Sequence, residues 1–253
     1  METQQNYSYE IMEVCLLAGK IMLISGAETY RVEDTMMRIA ASYGVRNSHS
    51  YVTPTGIIFS IETEEPTKTK LIRIMERTTD LDKVTKVNAI SRRISSGELN
   101  VDQAYDLLKE IEEANSTYSL GLQVLAAAIA SGCFLIMFQG QWSDFMPAVF
   151  AGGLGFISVI YFHRLVPIKF FSEFLASFVI GLFAYLFVKT GFGSEMDKVI
   201  IGSVMPLVPG LLITNAVRDL MAGHLISGLS KGAEAFLTAF AIGSGIAVVF
   251  LLF

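Results

Sequence analysis

The sequence predicts an α-helical membrane protein with five transmembrane helices, preceded by a small α/β domain. Charge is the first indication, because residues 1–118 hold 18 acidic and 13 basic side chains, whereas residues 119–253 hold six of each. Hydropathy is the second. The chain is 52% hydrophobic with a mean hydropathy of +0.51, and five apolar stretches of about the 20 residues that cross a bilayer lie in its second part. We therefore divide the chain into a domain over residues 1–116 and a transmembrane domain over residues 117–253.

The first domain is predicted to have the element order ααβββαα. Apolar residues at three- and four-residue steps predict helix over residues 9–43, in one piece or two, with an interruption at residues 25–28 and a C-terminal Gly44. Alternation of side chains begins at Val45, and a turn at residues 54–56 leads to strands over residues 57–62 and 68–75. Helices are predicted over residues 80–95 and 101–115, the second with Asn100 as its N-cap.

The apolar stretches that predict membrane spans cover residues 120–138, 145–162, 170–188, 199–217 and 235–253. Lysine and arginine in the short connections and in the N-terminal flank are in excess on the side of the first domain. By the positive-inside rule, this domain is cytoplasmic and Phe253 ends outside. The N-terminus has no basic start with an apolar run directly behind it, so we expect no secretory signal.

Residues 205–219 (MPLVPGLLITNAVRD) are predicted to break the fourth apolar stretch. Pro206 and Pro209 each remove a backbone donor, and Gly210 loosens the same turn. Pro209 can be the first residue of a new half-helix, because its missing N–H would have no helical partner there. A break at membrane depth followed by polar groups is typical of transporter substrate sites. The alternative is a proline-kinked helix with a charged cytoplasmic end.

Four polar residues follow this break, and those spaced four apart can share a helix face. Unpaired N–H groups and a positive helix end at the break favour a carboxylate. Arg218 can add a two-pronged contact near the cytoplasmic entrance, and Asp219 can hold the region of Arg218 or carry a proton. The predicted substrate-binding residues are therefore Pro206, Pro209, Gly210, Thr214, Asn215, Arg218 and Asp219.

A second unusual segment, residues 25–33, combines a glycine with several ionisable side chains. Because Gly26 permits close backbone approach, we expect Gly26, Glu28, Arg31 and Glu33 to serve in gating or in contact with the membrane domain. The alternative is a solvated helix face with weak ion pairs. Near the starts of two spans, Glu173 and Glu234 are further candidates for transport, Glu234 for gating, although such side chains can simply reach the interface.

Several other classes of protein are disfavoured by the motifs. Gly19-Lys20 lacks the glycine and the Ser/Thr of a phosphate-binding loop, and Ser25 lacks a nucleophile elbow. Cys15 and Cys133 have neither disulfide-framework nor zinc-site spacing. The acidic charge balance argues against nucleic acid as a partner. We therefore assign no catalytic residue, no metal site and no cofactor.

Two stretches together resemble the signatures of the threonine/serine exporter family. Residues 17–33 (LAGKIMLISGAETYRVE) look like its N-terminal signature. Residues 205–210 (MPLVPG), with 214–219 (TNAVRD) and 228–234 (GLSKGAE), look like its membrane signature, and residues 53–56 (TPTG) fit between them. The resemblance covers nearly the whole chain.

This resemblance implies a multi-pass exporter subunit of a bacterial inner membrane. The family's longer members have about ten spans, so a five-span chain is similar to the first half, as in split members paired with a small second membrane protein. The split form also resembles the bacterial succinate exporter system. The implied substrate is a hydroxy amino acid such as threonine or serine, or a dicarboxylate, and a homo-oligomer is possible. With no nucleotide motif, an ion gradient is the expected driving force.

Two alternative functions remain open from the sequence. The first is a membrane-anchored, hydrolase-like enzyme that uses Glu28, Arg31, Glu33 or His49 in a cytoplasmic site. The second is a regulatory or scaffolding subunit whose transport path lies in a partner.

The orientation is directly testable with alkaline phosphatase, which is active only outside the cytoplasm. Fused after Phe253, the enzyme should be active, because an odd number of spans separates that residue from the cytoplasmic domain. A matched fusion after residue 115 should be inactive. Activity in the second fusion but not in the first would mean that the chain is inverted.

Overall fold

The computed structural model describes residues 2–63, 66–114 and 117–253, with side chains from residue 7 onward. The chain forms two compact units. The first comprises Met1–Asn115 with Ile213–Gly232, and the second comprises Ser116–Leu212 with Ala233–Phe253. The composition of the sequence places a domain boundary between residues 116 and 117. In addition, the structure assigns a 20-residue segment from the far end of the chain to the first unit.

The N-terminal part of the first unit has the predicted element order ααβββαα. Its helices and strands are α1 (Glu2–Ile24), α2 (Thr29–Ser42), β1 (Asn47–Thr53), β2 (Gly56–Glu62), β3 (Lys68–Arg73), α3 (Leu81–Ser95) and α4 (Val101–Glu113). The helix predicted over residues 9–43 is therefore two helices. The predicted end of α4 at residue 115 lies outside the described residues.

Gly26 separates α1 from α2 because it adopts a left-handed conformation, with φ of 89°. Its N–H donates to the Leu23 carbonyl oxygen, and the Ala27 N–H donates to the Met22 carbonyl oxygen. This pair of hydrogen bonds is the Schellman motif, which satisfies the last carbonyls of a helix and needs a residue that tolerates positive φ. The chain then turns sharply enough for α2 to pack on α1.

The three strands form an antiparallel sheet in the order β1-β2-β3, with Tyr51 opposite Ile58 and Ile57 opposite Ile72. On β2 the inward side chains Ile57, Phe59 and Ile61 are buried, as the predicted alternation requires. They join one apolar core with the inner faces of the four helices. The four helices and the three-stranded sheet thus share one core.

The starts of α3 and α4 are capped by side chains. Asp80 accepts a hydrogen bond from the Lys83 N–H at 3.1 Å. Asn100 accepts from the Gln103 N–H at 2.8 Å, while the Gln103 side chain accepts from the Asn100 N–H at 3.2 Å. This reciprocal capping box confirms the predicted N-cap at Asn100.

In the described part of the chain, four helices are long and apolar enough to cross a membrane, and a bent pair of helices can supply a fifth span. The four are α5 (Leu120–Met137), α6 (Phe145–Leu165, preceded by the 3-10 turn Trp142–Asp144), α7 (Lys169–Lys189) and α10 (Leu225–Leu252). The bent pair is α8 (Met196–Val204), extended by the 3-10 turn Met205–Leu207, and α9 (Gly210–Met221). The chain is therefore a multi-pass membrane protein by length and composition of its helices.

The predicted break in the fourth apolar stretch is present, with a bend of 62° between the two helices. Pro206 lies in the 3-10 turn, and Pro209 directly precedes α9. The half-helix thus begins at Gly210, one residue later than predicted. Val208, directly before Pro209, has ψ of 129°, since a residue before proline avoids the helical region.

Close packing in the second unit depends on small residues. A Cβ added at Gly152 of α6 would lie 2.0 Å from Ser131 Oγ of α5. Ser131 in turn donates its hydroxyl to the Ala127 carbonyl oxygen at 2.9 Å, so its own polar atom is satisfied within its helix. Many large apolar side chains, such as Phe150 and Ile157, point outward, as expected for helices that face lipid.

Candidate functional site

A buried carboxylate from α9 caps the N-terminus of α2 within the first unit. Asp219 accepts hydrogen bonds from the Thr29 N–H at 3.0 Å, from the Thr29 hydroxyl at 2.9 Å and from Lys231 Nζ at 2.7 Å. Lys231, near the start of α10, also donates to Thr29 Oγ1 at 3.1 Å. We call Thr29, Asp219 and Lys231 the α2 cap network.

Asp219 provides a hydrogen-bond acceptor that the N-terminus of α2 lacks. The first N–H groups of a helix have no partner within the helix, and the N-cap residue Glu28 makes no side-chain cap. Asp219 supplies that cap from 190 residues further along the chain. Negative charge is also favoured at a helix N-terminus.

The α2 cap network is dry. The side chains of Lys231 and Asp219 are only 4% and 0% exposed. Two charges removed from water in this way must compensate each other, so removing either one leaves the other buried without its counter-charge. The network therefore fixes the segment 213–232 to the N-terminal helices.

Asn215 extends this contact one turn earlier on the same buried face of α9. Its amide Nδ2 donates to the Gly26 carbonyl oxygen at 3.0 Å. Asn215 and Asp219 are buried, whereas Thr214 and Arg218 lie on the exposed face. The predicted sharing of faces by residues four apart is confirmed, but the two pairs have different environments.

Arg218 reaches Glu28, a residue predicted for gating. Arg218 Nη1 lies 2.5 Å from Glu28 Oε1, and Arg31 Nη1 lies 3.1 Å from Glu28 Oε2. Burial raises the pKa of Glu28, but its own backbone N–H and the two guanidinium groups more than offset that effect and hold the pKa below its ordinary value. Because Arg218 is 61% exposed, its ion pair is more accessible to competing partners than the α2 cap network is.

Glu33 connects β1 with the turn between α9 and α10. Its carboxylate accepts from the Val52 N–H at 2.8 Å, and His224 Nδ1 lies 3.7 Å away. Burial raises the pKa of Glu33 above its ordinary value, against the opposing effects of the Val52 N–H and His224. Ser227 donates to the Val52 carbonyl oxygen at 3.0 Å, so both backbone groups of Val52 are satisfied here.

Four other predicted residues belong to the second unit. Pro206, Pro209 and Gly210 belong to the second unit, and a Cβ added at Gly210 would meet nothing within 4 Å. Glu234 also belongs to the second unit, where Lys169 Nζ lies 3.1 Å from its Oε1. Within the first unit, the structure brings together Gly26, Glu28, Arg31 and Glu33 with Asn215, Arg218 and Asp219.

Sequence reasoning missed Thr29, His224, Ser227 and Lys231. Ser227 and Lys231 are four residues apart at the start of an apolar helix, and a lysine on the inner face of such a helix is a signal for a buried counter-charge. Among the described residues no group of three or more His, Cys, Asp or Glu side chains could hold a metal ion. Cys15 and Cys133 are unpaired.

Comparison with known proteins identifies the family of this chain. The family model of the ThrE threonine/serine exporters matches residues 13–253.

The chain belongs to the threonine/serine exporter family.

Its relatives in this family differ in length and in the substrates that their names carry. A "Probable threonine/serine exporter" of Mycobacterium tuberculosis is 24% identical over 239 residues, which is 92% of this chain and 44% of that protein. The "Probable succinate transporter subunit YjjP" of Escherichia coli K12 is 24% identical over 254 residues, covering 97% of this chain and 95% of that protein. The "Threonine/serine exporter" of Corynebacterium glutamicum is 21% identical over 243 residues, which is 93% of this chain and 50% of that protein. No solved structure matches the chain.

A double-mutant cycle tests the α2 cap network. Lys231→Met should lower the free energy of unfolding by about 3–5 kcal/mol, because it leaves Asp219 charged and buried without its partner. The double variant Lys231→Met with Asp219→Asn should lose less than Lys231→Met alone, since the asparagine is neutral and can still accept from Thr29. The measurement is denaturant unfolding of the detergent-solubilised chain.

Lys189→Met, at an exposed lysine of α7, is the matched control and should be close to neutral. The cycle also needs Asp219→Asn alone. If the loss of unfolding free energy in the double variant equals the sum of the losses in Lys231→Met and Asp219→Asn, then Asp219 and Lys231 do not interact.

Proposed function

We propose that this chain is a subunit of a secondary transporter that exports a small carboxylate or amino acid from the cytoplasm across a bacterial inner membrane. Membership of the exporter family and four or five candidate spans support a membrane exporter. In this proposal the N-terminal domain is cytoplasmic and the C-terminus lies outside. An ion gradient drives export, and no cofactor takes part.

The observation that carries the proposal is the contrast between two charge contacts on neighbouring residues of α9. Asp219 is buried in the α2 cap network, whereas Arg218 is exposed and pairs with Glu28 among the described residues. The first contact keeps α9 fixed to the N-terminal helices, and the second can exchange partners. A substrate carboxylate can therefore replace Glu28 on the Arg218 guanidinium, which presents several donors in a fixed fork.

The remaining predicted residues have roles in the same cycle. Thr214 shares the exposed face with Arg218 and is proposed to contact the substrate beside it. The turn at Pro206, Pro209 and Gly210 is proposed as the deeper part of the path. Gly26, Arg31 and Glu33 position Glu28 and the α9–α10 turn, while Glu234 gates through its ion pair with Lys169.

A second membrane protein is proposed as partner. The chain spans about half the length of the Mycobacterium and Corynebacterium exporters, but 95% of the YjjP protein, whose name describes a subunit. A split exporter would need its other half from a separate chain. Homo-oligomers of the complete pair are compatible with this arrangement.

A regulatory role is the second candidate function. It is favoured by the fact that Asn215, Asp219 and Lys231 make their hydrogen bonds within the first unit. In that case the transport path lies in the partner, and substitution of Arg218 has no effect on export. The hydrolase-like alternative gains no support from His49, whose exposed imidazole lies 3.9 Å from Glu62.

Export measurements with Arg218 variants test the proposal. In cells that produce this chain with its partner, Arg218→Gln should lower the initial efflux rate of the transported threonine, serine or succinate. The expected loss is about tenfold, which corresponds to the free energy of one charge-assisted hydrogen bond. Arg218→Lys keeps the charge but loses the planar fork, so its loss should be smaller.

Arg38→Gln is the control, because Arg38 forms an exposed ion pair with Asp34 on α2. It should export at the unaltered rate at matched membrane levels. Normal efflux by Arg218→Gln would support the regulatory role instead, and absence of any efflux that depends on this chain would refute both.

A further inference from the structure

A cavity of about 420 Å³ lies in the second unit, between the end of α6 and the start of α7. Both helices are candidate membrane spans, and residues 166–168 connect them, so the cavity lies at one end of the two spans. Its volume is within the range of roughly 300–1,000 Å³ that is usual for small-molecule sites. The wall includes the side chains of Val159, Ile160, His163, Arg164 and Lys169.

The wall of this cavity changes from apolar to basic along the helices. Val159 and Ile160 lie about one and a half turns before the end of α6. His163 and Arg164 are in its last turn, and Lys169 is the first residue of α7. A phospholipid has the same order of groups, because its acyl chains lie deeper in the membrane than its phosphate. Basic pockets between membrane helices are suited to anionic headgroups.

Arg164 is the basic side chain of this rim that lacks a protein partner. It is exposed, and in the part of the chain that the structure describes it makes no hydrogen bond and no ion pair. Its guanidinium presents donors in a fixed fork that matches two oxygens of a phosphate. Lys169 is held in place, since its Nζ lies 3.1 Å from Glu234 Oε1, but an ammonium has three donors and can contact a second acceptor.

The inner end of the cavity offers no contact to an anion. Ser172 already donates its hydroxyl to the Ile168 carbonyl oxygen at 3.3 Å. Glu173 is buried, and its Oε2 atom is closed off from solvent. Its negative charge would repel an anion that moved deeper. An anionic group is therefore held at Arg164 and Lys169, at the level of the helix ends.

Exposed apolar side chains surround the connection between the two spans. They belong to Tyr161 and Leu165 of α6, to Ile168, and to Phe171 of α7. Aromatic and apolar side chains next to basic ones at the ends of membrane helices are typical of the membrane–water interface. Acyl chains can cover these side chains while a headgroup occupies the basic rim.

We propose that this cavity binds an anionic phospholipid, with its phosphate oxygens on Arg164 and Lys169 and the start of an acyl chain against Val159 and Ile160. His163 faces the same headgroup from α6. The single negative charge of such a lipid matches the unpaired guanidinium, whereas a zwitterionic headgroup adds an ammonium to a basic rim. The inference depends neither on the transported substrate nor on the direction of transport.

Native mass spectrometry of the purified, delipidated full-length chain tests the proposal. The probes are phosphatidylglycerol, phosphatidylethanolamine and diacylglycerol with the same acyl chains, together with glycerol 3-phosphate. The first phosphatidylglycerol should bind about tenfold more tightly than diacylglycerol, which corresponds to one charge-assisted hydrogen bond. It should also bind more tightly than phosphatidylethanolamine. Weaker binding of glycerol 3-phosphate would show that the site takes a lipid rather than a soluble phosphate.

Variants of Arg164 locate the site. Arg164→Gln should weaken phosphatidylglycerol binding about tenfold and leave diacylglycerol binding unchanged. Arg164→Lys keeps the charge but loses the fork, so it should restore part of the affinity. Lys189→Gln, at an exposed lysine on the opposite end of α7, is the matched control and should bind phosphatidylglycerol as the unaltered chain does.

Melting temperatures separate binding from folding. Because Arg164 has no protein partner among the described residues, Arg164→Gln should melt like the unaltered chain without lipid. Added phosphatidylglycerol should raise its melting temperature less, since a ligand stabilises a protein in proportion to its affinity.

Four results would each overturn the proposal. The first is equal affinity for phosphatidylglycerol and diacylglycerol, and the second is phosphatidylethanolamine binding as tight as that of phosphatidylglycerol. The third is an equal effect of Arg164→Gln and Lys189→Gln, which would show only unspecific lipid around the spans. The fourth is glycerol 3-phosphate binding as tight as that of phosphatidylglycerol, which would show a site for soluble phosphates.

Discussion

The Asp219 carboxylate, buried against the first N–H group of α2, is the contact on which the first unit depends. A carboxylate without exposure to water is costly unless its charge and lone pairs are matched, and Thr29 with Lys231 provides that match. Because Asp219 and Lys231 come from two different helices, the same network holds both α9 and α10 on the N-terminal helices. The hydrogen bond from Asn215 to the Gly26 carbonyl then completes the contact around the α1–α2 turn.

This arrangement gives the conspicuous charges of α9 separate roles. Asp219 has a structural role, because its oxygens already accept hydrogen bonds from donors of the protein. Most of the Arg218 side chain, in contrast, is exposed. Glu28 connects the two arginines, since its carboxylate accepts hydrogen bonds from both Arg218 and Arg31. In the proposed function, a substrate that displaces Glu28 from Arg218 breaks only the exposed ion pair, and the buried α2 cap network stays intact.

The sequence predicts those features that local rules govern. Gly44 ends α2, Asn100 caps α4, and Pro206 with Pro209 breaks the fourth apolar stretch, each through constraints that act within a few residues. The cap of α2 could not be predicted in this way, because the acceptor, Asp219, is 190 residues away from Thr29. Glu28 is at the N-cap position, but its side chain makes no capping hydrogen bond. Lys231 escaped notice for the same reason. A single lysine in an apolar helix indicates a buried partner, but the identity of that partner depends on tertiary structure.

Hydrogen exchange at the Thr29 amide tests the central claim most directly. This N–H is the first of α2 and has no acceptor within the helix, so its protection depends on Asp219. In the unaltered chain the Thr29 amide should exchange slowly, and in Asp219→Ala it should exchange near the rate of an open amide, while amides in the middle of α2, such as that of Ile39, remain protected. Fast exchange of Thr29 in the unaltered chain, or equal protection in Asp219→Ala, would contradict the account.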